Sequence, residues 1–409
     1  MNGSARAQKL QKLHKLLAAD SLTFALMLGF RGEAVAIKWK MSAAQFLVSY
    51  QSGTPEKNMA IIACFLPITS LLVTLGHAQS ANPIKVNTES TQFLGAETSS
   101  NDPNLFRDGG SQGVLNNVYY QIYADTCQKN NPNDTDCATF RANSIGVSTY
   151  SPTVVQDFSN PPAQFCTPSN GARIHLTNLV PTDGAGGTHG AMWYMALASC
   201  SQNINGCTSA LGVALVQTAA SGQQPTCSVL YGFWDTTKEP MWGSIGAVGP
   251  QSDGYIYVFG TLDASQNPQA TSSDMYVARV LPGNVGSLNS YQYWNGASFQ
   301  SQRITSGYST ASVLKDVSPG SVRYNSYYKS YIAINLVNGN TLQAYTASVP
   351  QGSWSGATTL WSNSSYGSPS PLYDPQGLSF RDTSGKTLAA QMSQFPYNTI
   401  KVTIKLFFQ

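Results

Sequence analysis

Charge is scarce in this 409-residue chain: Asp, Glu, Lys and Arg together make up 11% of it. Glutamate almost vanishes beyond Glu97, and Glu239 is the only one that follows. No C-x-x-C pair occurs, so a structural zinc site is not expected. His175 has no second ligand at metal-binding spacing, and neither a metal nor another cofactor is expected. The GAGG run at 184–187 lacks both the Walker lysine and the dinucleotide glycine spacing. It reads as a flexible loop rather than a phosphate cradle. No helical periodicity of useful length appears beyond Asn104, which excludes helix bundles.

Gly, Ser, Asn, Thr, Tyr and Gln are abundant, as in extracellular β-proteins, and 11% aromatic residues is too many for a disordered chain. Residues 59–80 carry a secretory signal pattern. Ala60 to Leu75 is uncharged and mostly apolar, and Gly76-His77-Ala78 puts small residues at the −3 and −1 positions before Gln79. A membrane anchor is the alternative. The run is shorter than the ~20 apolar residues of a span, and Pro67 interrupts it, so no stable span is expected. Residues 1–58 do not fit ahead of a signal peptide. They read as an upstream extension, with translation starting at Met59, although LQKLHKLL could form an amphipathic helix and a mitochondrial presequence is conceivable. That segment holds eight of the 23 Lys/Arg and three of the 20 acids, which leaves 15 against 17 from Gln79 on, a net charge of −2. No basic patch points to nucleic acid. The expected product is secreted and monomeric.

Of seven cysteines, Cys64 lies in the leader. The six others allow fifteen connectivities. Cys127–Cys137 and Cys200–Cys207 are close in sequence and would staple loops, which leaves Cys166–Cys227. Asn133 and Asn363 open glycosylation sequons, a mark of surface loops in a secreted glycoprotein.

β-Branched and aromatic runs recur from residues 118, 192, 255, 331 and 387, each flanked by Gly, Pro, Asn or Ser. Their mean spacing of about 67 residues is generous for a four-stranded propeller blade, which typically takes ~40–50 plus loops. Five such units fill residues 82–409, and the predicted fold is an all-β, five-bladed β-propeller. A β-sandwich with long loops, or two sandwiches, is the alternative. Asp274–Val280 and Leu342–Ser348 read as third strands. Ser252-Asp253-Gly254, Asn338-Gly339-Asn340 and Ser384-Gly385-Lys386 read as hairpin turns. Five Gly- or Pro-bearing segments precede the recurrent strands and are expected at the rim of a central channel. They include Arg107-Asp108-Gly109-Gly110, Thr188-His189-Gly190 and Ser368-Pro369-Ser370-Pro371.

The succession RDGG…YADT, WGSIGAV…DGYIYVFGT, MYVARV…YQYWNG and SPGSVRYNSYYKSYIAIN resembles secreted five-bladed propellers related to the furanosidase glycoside hydrolases. More narrowly, it resembles propellers long classed as a domain of unknown function, some of which are endo-D-arabinanases. The resemblance covers most of residues 100–405. It implies hydrolysis of an extracellular polysaccharide or oligosaccharide by paired carboxylates; a non-catalytic carbohydrate-binding propeller and an adhesive surface protein are the alternatives. By position in the motif, Asp108 is the first candidate acid and Asp125 the second. As residues alone, Asp108 could be a turn residue, and Asp125 could cap a turn through Thr126. Glu239 could be a general acid or a surface partner of Lys238, and Asp316 a pocket carboxylate or a loop cap. Arg107, His189, Trp242 and Tyr373 are candidates for holding substrate. Trp193, Trp234 and Tyr231 are further stacking aromatics unless they pack the core.

Overall fold

The computed structural model describes residues 92–408 with short breaks, the widest at 198–209, 363–371 and 379–384, together with residues 23–30, 33–40 and 84–86. The expectations for the LQKLHKLL helix, the signal segment, Cys64, Cys200–Cys207 and Asn363 concern residues outside these. The chain divides into two units, residues 1–78 and 79–409. In the first, Thr23–Phe30 and Glu33–Lys40 form an antiparallel hairpin with Phe30 opposite Glu33. Among the described residues no helix is long and apolar enough to cross a membrane.

The second unit is almost wholly β, with five sheets of four or five strands and one three-stranded ladder. The second strand of each large sheet is the apolar run visible in the sequence: Val118–Tyr123, His189–Leu197, Ile256–Thr261, Ser330–Val337 and Thr387–Gln394. Each has hydrogen-bonded neighbours on both sides. Strands so enclosed favour β-branched and aromatic side chains that pack on both faces. The third strands form at Met275–Val280 and Thr341–Ala347.

The first strands are Ser111–Leu115, Met241–Val248, Ser321–Asn325 and Leu372–Leu378 in sheets one, three, four and five. Sheet two departs from expectation. Its first strand is Arg173–Leu176, resumed at Val180–Pro181, and both pieces pair with His189–Leu197. The Thr188-His189-Gly190 segment therefore opens the second strand, not the first. Ser111–Leu115 packs against Val180–Pro181, His189–Leu197 against Met241–Val248, and Met241–Val248 against Ser321–Asn325. Ser321–Asn325 then meets Leu372–Leu378, which returns to Ser111–Leu115.

Four apolar clusters fill the seams between successive sheets. Ile122 and Met192 join sheets one and two, Trp193 and Trp242 two and three, Phe259 and Val322 three and four, and Ile334 and Leu388 four and five. The seam from sheet five back to sheet one is polar. Gln121 donates to Gln391, and the Ser393 hydroxyl accepts from the Gly109 N–H at 2.8 Å. A buried Leu or Phe contributes ~1.5–3 kcal/mol, whereas a neutral hydrogen bond nets about 1 kcal/mol. This fifth seam is therefore the weakest by side-chain packing alone.

Backbone pairing reinforces it. Gln92–Ala96 adds to sheet five beside Asn398–Phe408, and Thr98–Ser99 then joins the outer edge of sheet one beside Val154–Asp157. Between them, Glu97 accepts from the Tyr123 hydroxyl and lies 3.8 Å from Arg107, which also binds Asp157 and lies over the Tyr123 ring at 4.3 Å.

Cys127–Cys137 and Cys166–Cys227 are bonded, with sequence separations of 10 and 61. Loop-closure entropy makes the longer bridge worth ~4 kcal/mol and the shorter ~3 kcal/mol. Chemical denaturation of the paired Cys→Ser variants should show the larger loss of stability for Cys166–Cys227. Equal or reversed losses would refute this ranking.

Candidate active site

The residues from 105 to 128 form one hairpin in a single register, with Leu105 opposite Gln128 and Ser111 opposite Ile122. The ladder is irregular only around 108–110 and 124–125. There the Asp108 N–H donates to the Asp125 carbonyl at 2.8 Å, and the Ala124 N–H to the Asp108 carbonyl at 3.1 Å. Gly109 has φ 65 and Gly110 φ 153, and a Cβ on Gly110 would overlap the Gln391 amide. Glycine is thus required where sheet one presses against sheet five.

This pinch brings Asp108 to the start of the first strand of sheet five. The Tyr373 hydroxyl donates to Asp108 Oδ1 at 2.5 Å, and the Gly109 N–H donates to the same oxygen at 2.6 Å. Asp374 follows, at φ 48, inside an irregularity between Tyr373 and Gln376. Its Oδ1 accepts from Gln376 Nε2 at 2.9 Å, and the Gly110 N–H donates to its carboxyl. Asp374 keeps partial contact with solvent yet is surrounded by protein, as on the floor of a cleft. Burial is the main cause that pushes its pKa up to about 6, and the nearby Asp108 charge adds to it.

Sheet two supplies the opposite wall. Arg173 and His175 are two apart on its first strand and share a face, while Ile174 points into the core. Arg173 Nη2 donates to both Asp125 oxygens, at 2.9 and 3.0 Å. Burial pushes the His175 imidazole below its usual range, against the pull of Asp125 and Asp108. His175 Nε2 is buried without a hydrogen-bond partner. Among the described residues no three His, Cys, Asp or Glu side chains are placed to share a metal ion.

The candidate residues from the sequence thus divide. Asp108, Asp125 and Tyr373 come together. Arg107, expected to hold substrate, is enclosed instead in the Glu97–Asp157–Tyr123 network, where its charge is compensated. Glu239 is 1% exposed and binds Arg303, with Nε at 2.7 Å, while Lys238 pairs with Asp235. Glu239 is therefore neither a surface partner of Lys238 nor open to a ligand. Trp242 is fully buried against Tyr293, and Trp193 and Trp234 are core residues too. His189 is exposed and paired with Asp183 in the turn after Pro181, beside the Asn116 turn that ends the first strand of sheet one. It lies at the opposite end of that strand from Asp108. Asp316 is exposed in a loop held by Asp274. The missed residues are Asp374, Arg173, His175 and Gln376. Asp374 had one signal: it stands just after a Pro-bearing rim segment and next to Tyr373.

A family model described as a domain of unknown function, DUF4185, matches residues 117–403. No curated protein matches the chain. Among solved structures, a candidate hydrolase from Bacteroides ovatus is similar with a TM-score of 0.53 at 15% identity, over 76% of this chain and 87% of that one. A thermostable family-43 glycoside hydrolase gives 0.45 at 10% identity, over 75% and 92%. An arabinanase from Bacillus subtilis gives 0.43 at 12% identity, over 76% and 97%.

Two predictions follow from this geometry. Asp374 binds its proton more tightly folded than unfolded, so its contribution to stability is full below pH 3.8 and is lost as pH rises through about 6. Asp374→Asn should then stabilise the protein at pH 8, by up to ~3 kcal/mol, and change little at pH 3.5; denaturation showing destabilisation at pH 8 would refute the assignment. Glu239→Gln should lower stability by roughly 1 kcal/mol, because it weakens the hydrogen bonds to Arg303 while the 40%-exposed guanidinium keeps its hydration, and an unchanged melting temperature would refute that role.

Proposed function

The chain belongs to the family described as a domain of unknown function, DUF4185, and on that premise we propose a secreted glycoside hydrolase, a closed five-bladed β-propeller with Asp108 and Asp374 as working carboxylates. The observation that carries this reading is the enclosed Asp374 carboxyl, on the first strand of sheet five, beside Asp108, just ahead of the first strand of sheet one, where the two sheets meet at a polar seam. Glycosidic cleavage needs one carboxyl to protonate the leaving oxygen and another to activate water or attack the anomeric carbon.

Asp374, pushed up to about 6, keeps its proton longer than an ordinary aspartate and takes the acid role. Asp108 takes the base or nucleophile role. Its Oδ1 is occupied by the Tyr373 and Gly109 donors, which fixes the carboxylate plane and leaves Oδ2 to act. Asp125, tied to Arg173, shapes the wall and its charge rather than the bond-breaking step. The pairing thus shifts from Asp108 with Asp125, implied by position in the motif, to Asp108 with Asp374. An extracellular polysaccharide is the substrate class, with arabinans the first to try.

Protein beginning at Gln79 should hydrolyse at least one member of a plant and bacterial polysaccharide panel. Asp108→Asn and Asp374→Asn should each lower kcat by ~10²–10⁴-fold without unfolding, and Asp125→Asn should cost less. The wild-type rate should fall as pH rises above about 6, as the acid loses its proton. Near-normal kcat in both Asn variants would overturn the assignment. Saturable binding without any hydrolysis would favour the carbohydrate-binding propeller.

A further inference from the structure

The first strands have a second end, and a cavity of about 260 Å³ lies there, lined by Val114, Tyr119, Arg323, Tyr324, Leu378 and Thr387 among others. Val114 is six residues beyond Asp108 and Leu378 four beyond Asp374. At ~3.3 Å per strand residue this places the cavity on the order of 13–20 Å from the carboxylate pair. None of its described lining residues is acidic.

Arg323 reaches from sheet four toward sheets one and five. Its Nε donates to the Gly377 carbonyl at 2.9 Å, and its Nη2 to the Gln112 carbonyl at 3.2 Å. These acceptors hold the guanidinium in place but carry no net charge. Among the described residues no carboxylate pairs with it. Burial alone pulls its pKa down to about 10, so it stays cationic at neutral pH. Arg323 is half-buried, so desolvation weighs on its charge, and an anion at its open edge would offset that cost. Among the described residues Nη1 and the second Nη2 hydrogen have no acceptor, and this remaining edge of the guanidinium suits the two oxygens of a carboxylate.

We propose that this cavity is an anion site in which Arg323 binds a small carboxylate, either free or carried by an acidic sugar. The lining favours such a ligand: Tyr119 and Tyr324 offer ring surface, and the exposed Ser326 offers a hydroxyl to a hydroxylated body. The site is independent of the hydrolase reading, since neither Asp108 nor Asp374 takes part.

The test is thermal unfolding and calorimetric titration of the wild-type protein at constant ionic strength, with acetate, glucuronate, glucose and chloride. Acetate and glucuronate should bind saturably and raise the melting temperature by roughly 3–6 °C at saturation, while glucose and chloride should not. Tighter binding of glucuronate would identify an acidic sugar as the occupant; equal affinity would identify the free carboxylate. Arg323→Met should abolish the response, and Arg323→Lys should weaken it at least tenfold. If Arg323→Met does not fold, the wild-type titration and the Lys variant decide. Wild-type indifference to both carboxylates, or an equal response to chloride, would overturn the proposal.

Discussion

The seam between sheets five and one is the constraint on which the rest of the second unit depends. Four seams are held by apolar side chains and would form wherever these sheets met. The fifth is held by residues 92–99, which run in one stretch from the edge of sheet five to the edge of sheet one. Glu97, at the crossing, lies in the buried network of Arg107, Asp157 and Tyr123. Buried charges of this kind add little net stability against an apolar alternative, yet removing one partner is severe. They fix how the two sheets meet, and Arg107 immediately precedes Asp108.

The same seam explains the site's chemistry. An apolar joint could not hold two carboxyls, whereas amides, hydroxyls and backbone N–H groups can. Gln376, Ser393, Tyr373 and the Gly109 and Gly110 N–H groups all serve Asp108, Asp374 or the turn that carries them. The raised Asp374 pKa is obtained at the expense of stability at neutral pH, a cost common at sites built for function.

Much of the fold was legible because it is written in local pattern. The five central strands and several of the turns between them announce themselves by β-branched runs and Gly-Asn-Asp punctuation. Asp108 was legible too, since its glycines are adjacent in sequence. Asp374 was not, because its meaning comes from a neighbour 265 residues away through Tyr373. Glu239 misled for the converse reason: its partner Arg303 lies 64 residues on, and nothing local distinguishes a buried acid from a surface one. The tryptophans read equally as stacking platforms or as core, and Trp193 and Trp242 fill the joint between sheets two and three. Aromatic content alone cannot tell a wall of the cleft from the core.

The long reach of these contacts also sets an order of events during synthesis. Asp108 and the hairpin around it are made first, whereas Tyr373 and Ser393 follow 265 and 284 residues after their partners. Until then, Gln92–Ala96 has no strand to join, although Thr98–Ser99 can already pair with the edge of sheet one. The carboxylate pair therefore comes into being only with the last sheet. A chain that lacks its last sheet has Asp108 without Asp374 beside it and a fifth seam still open.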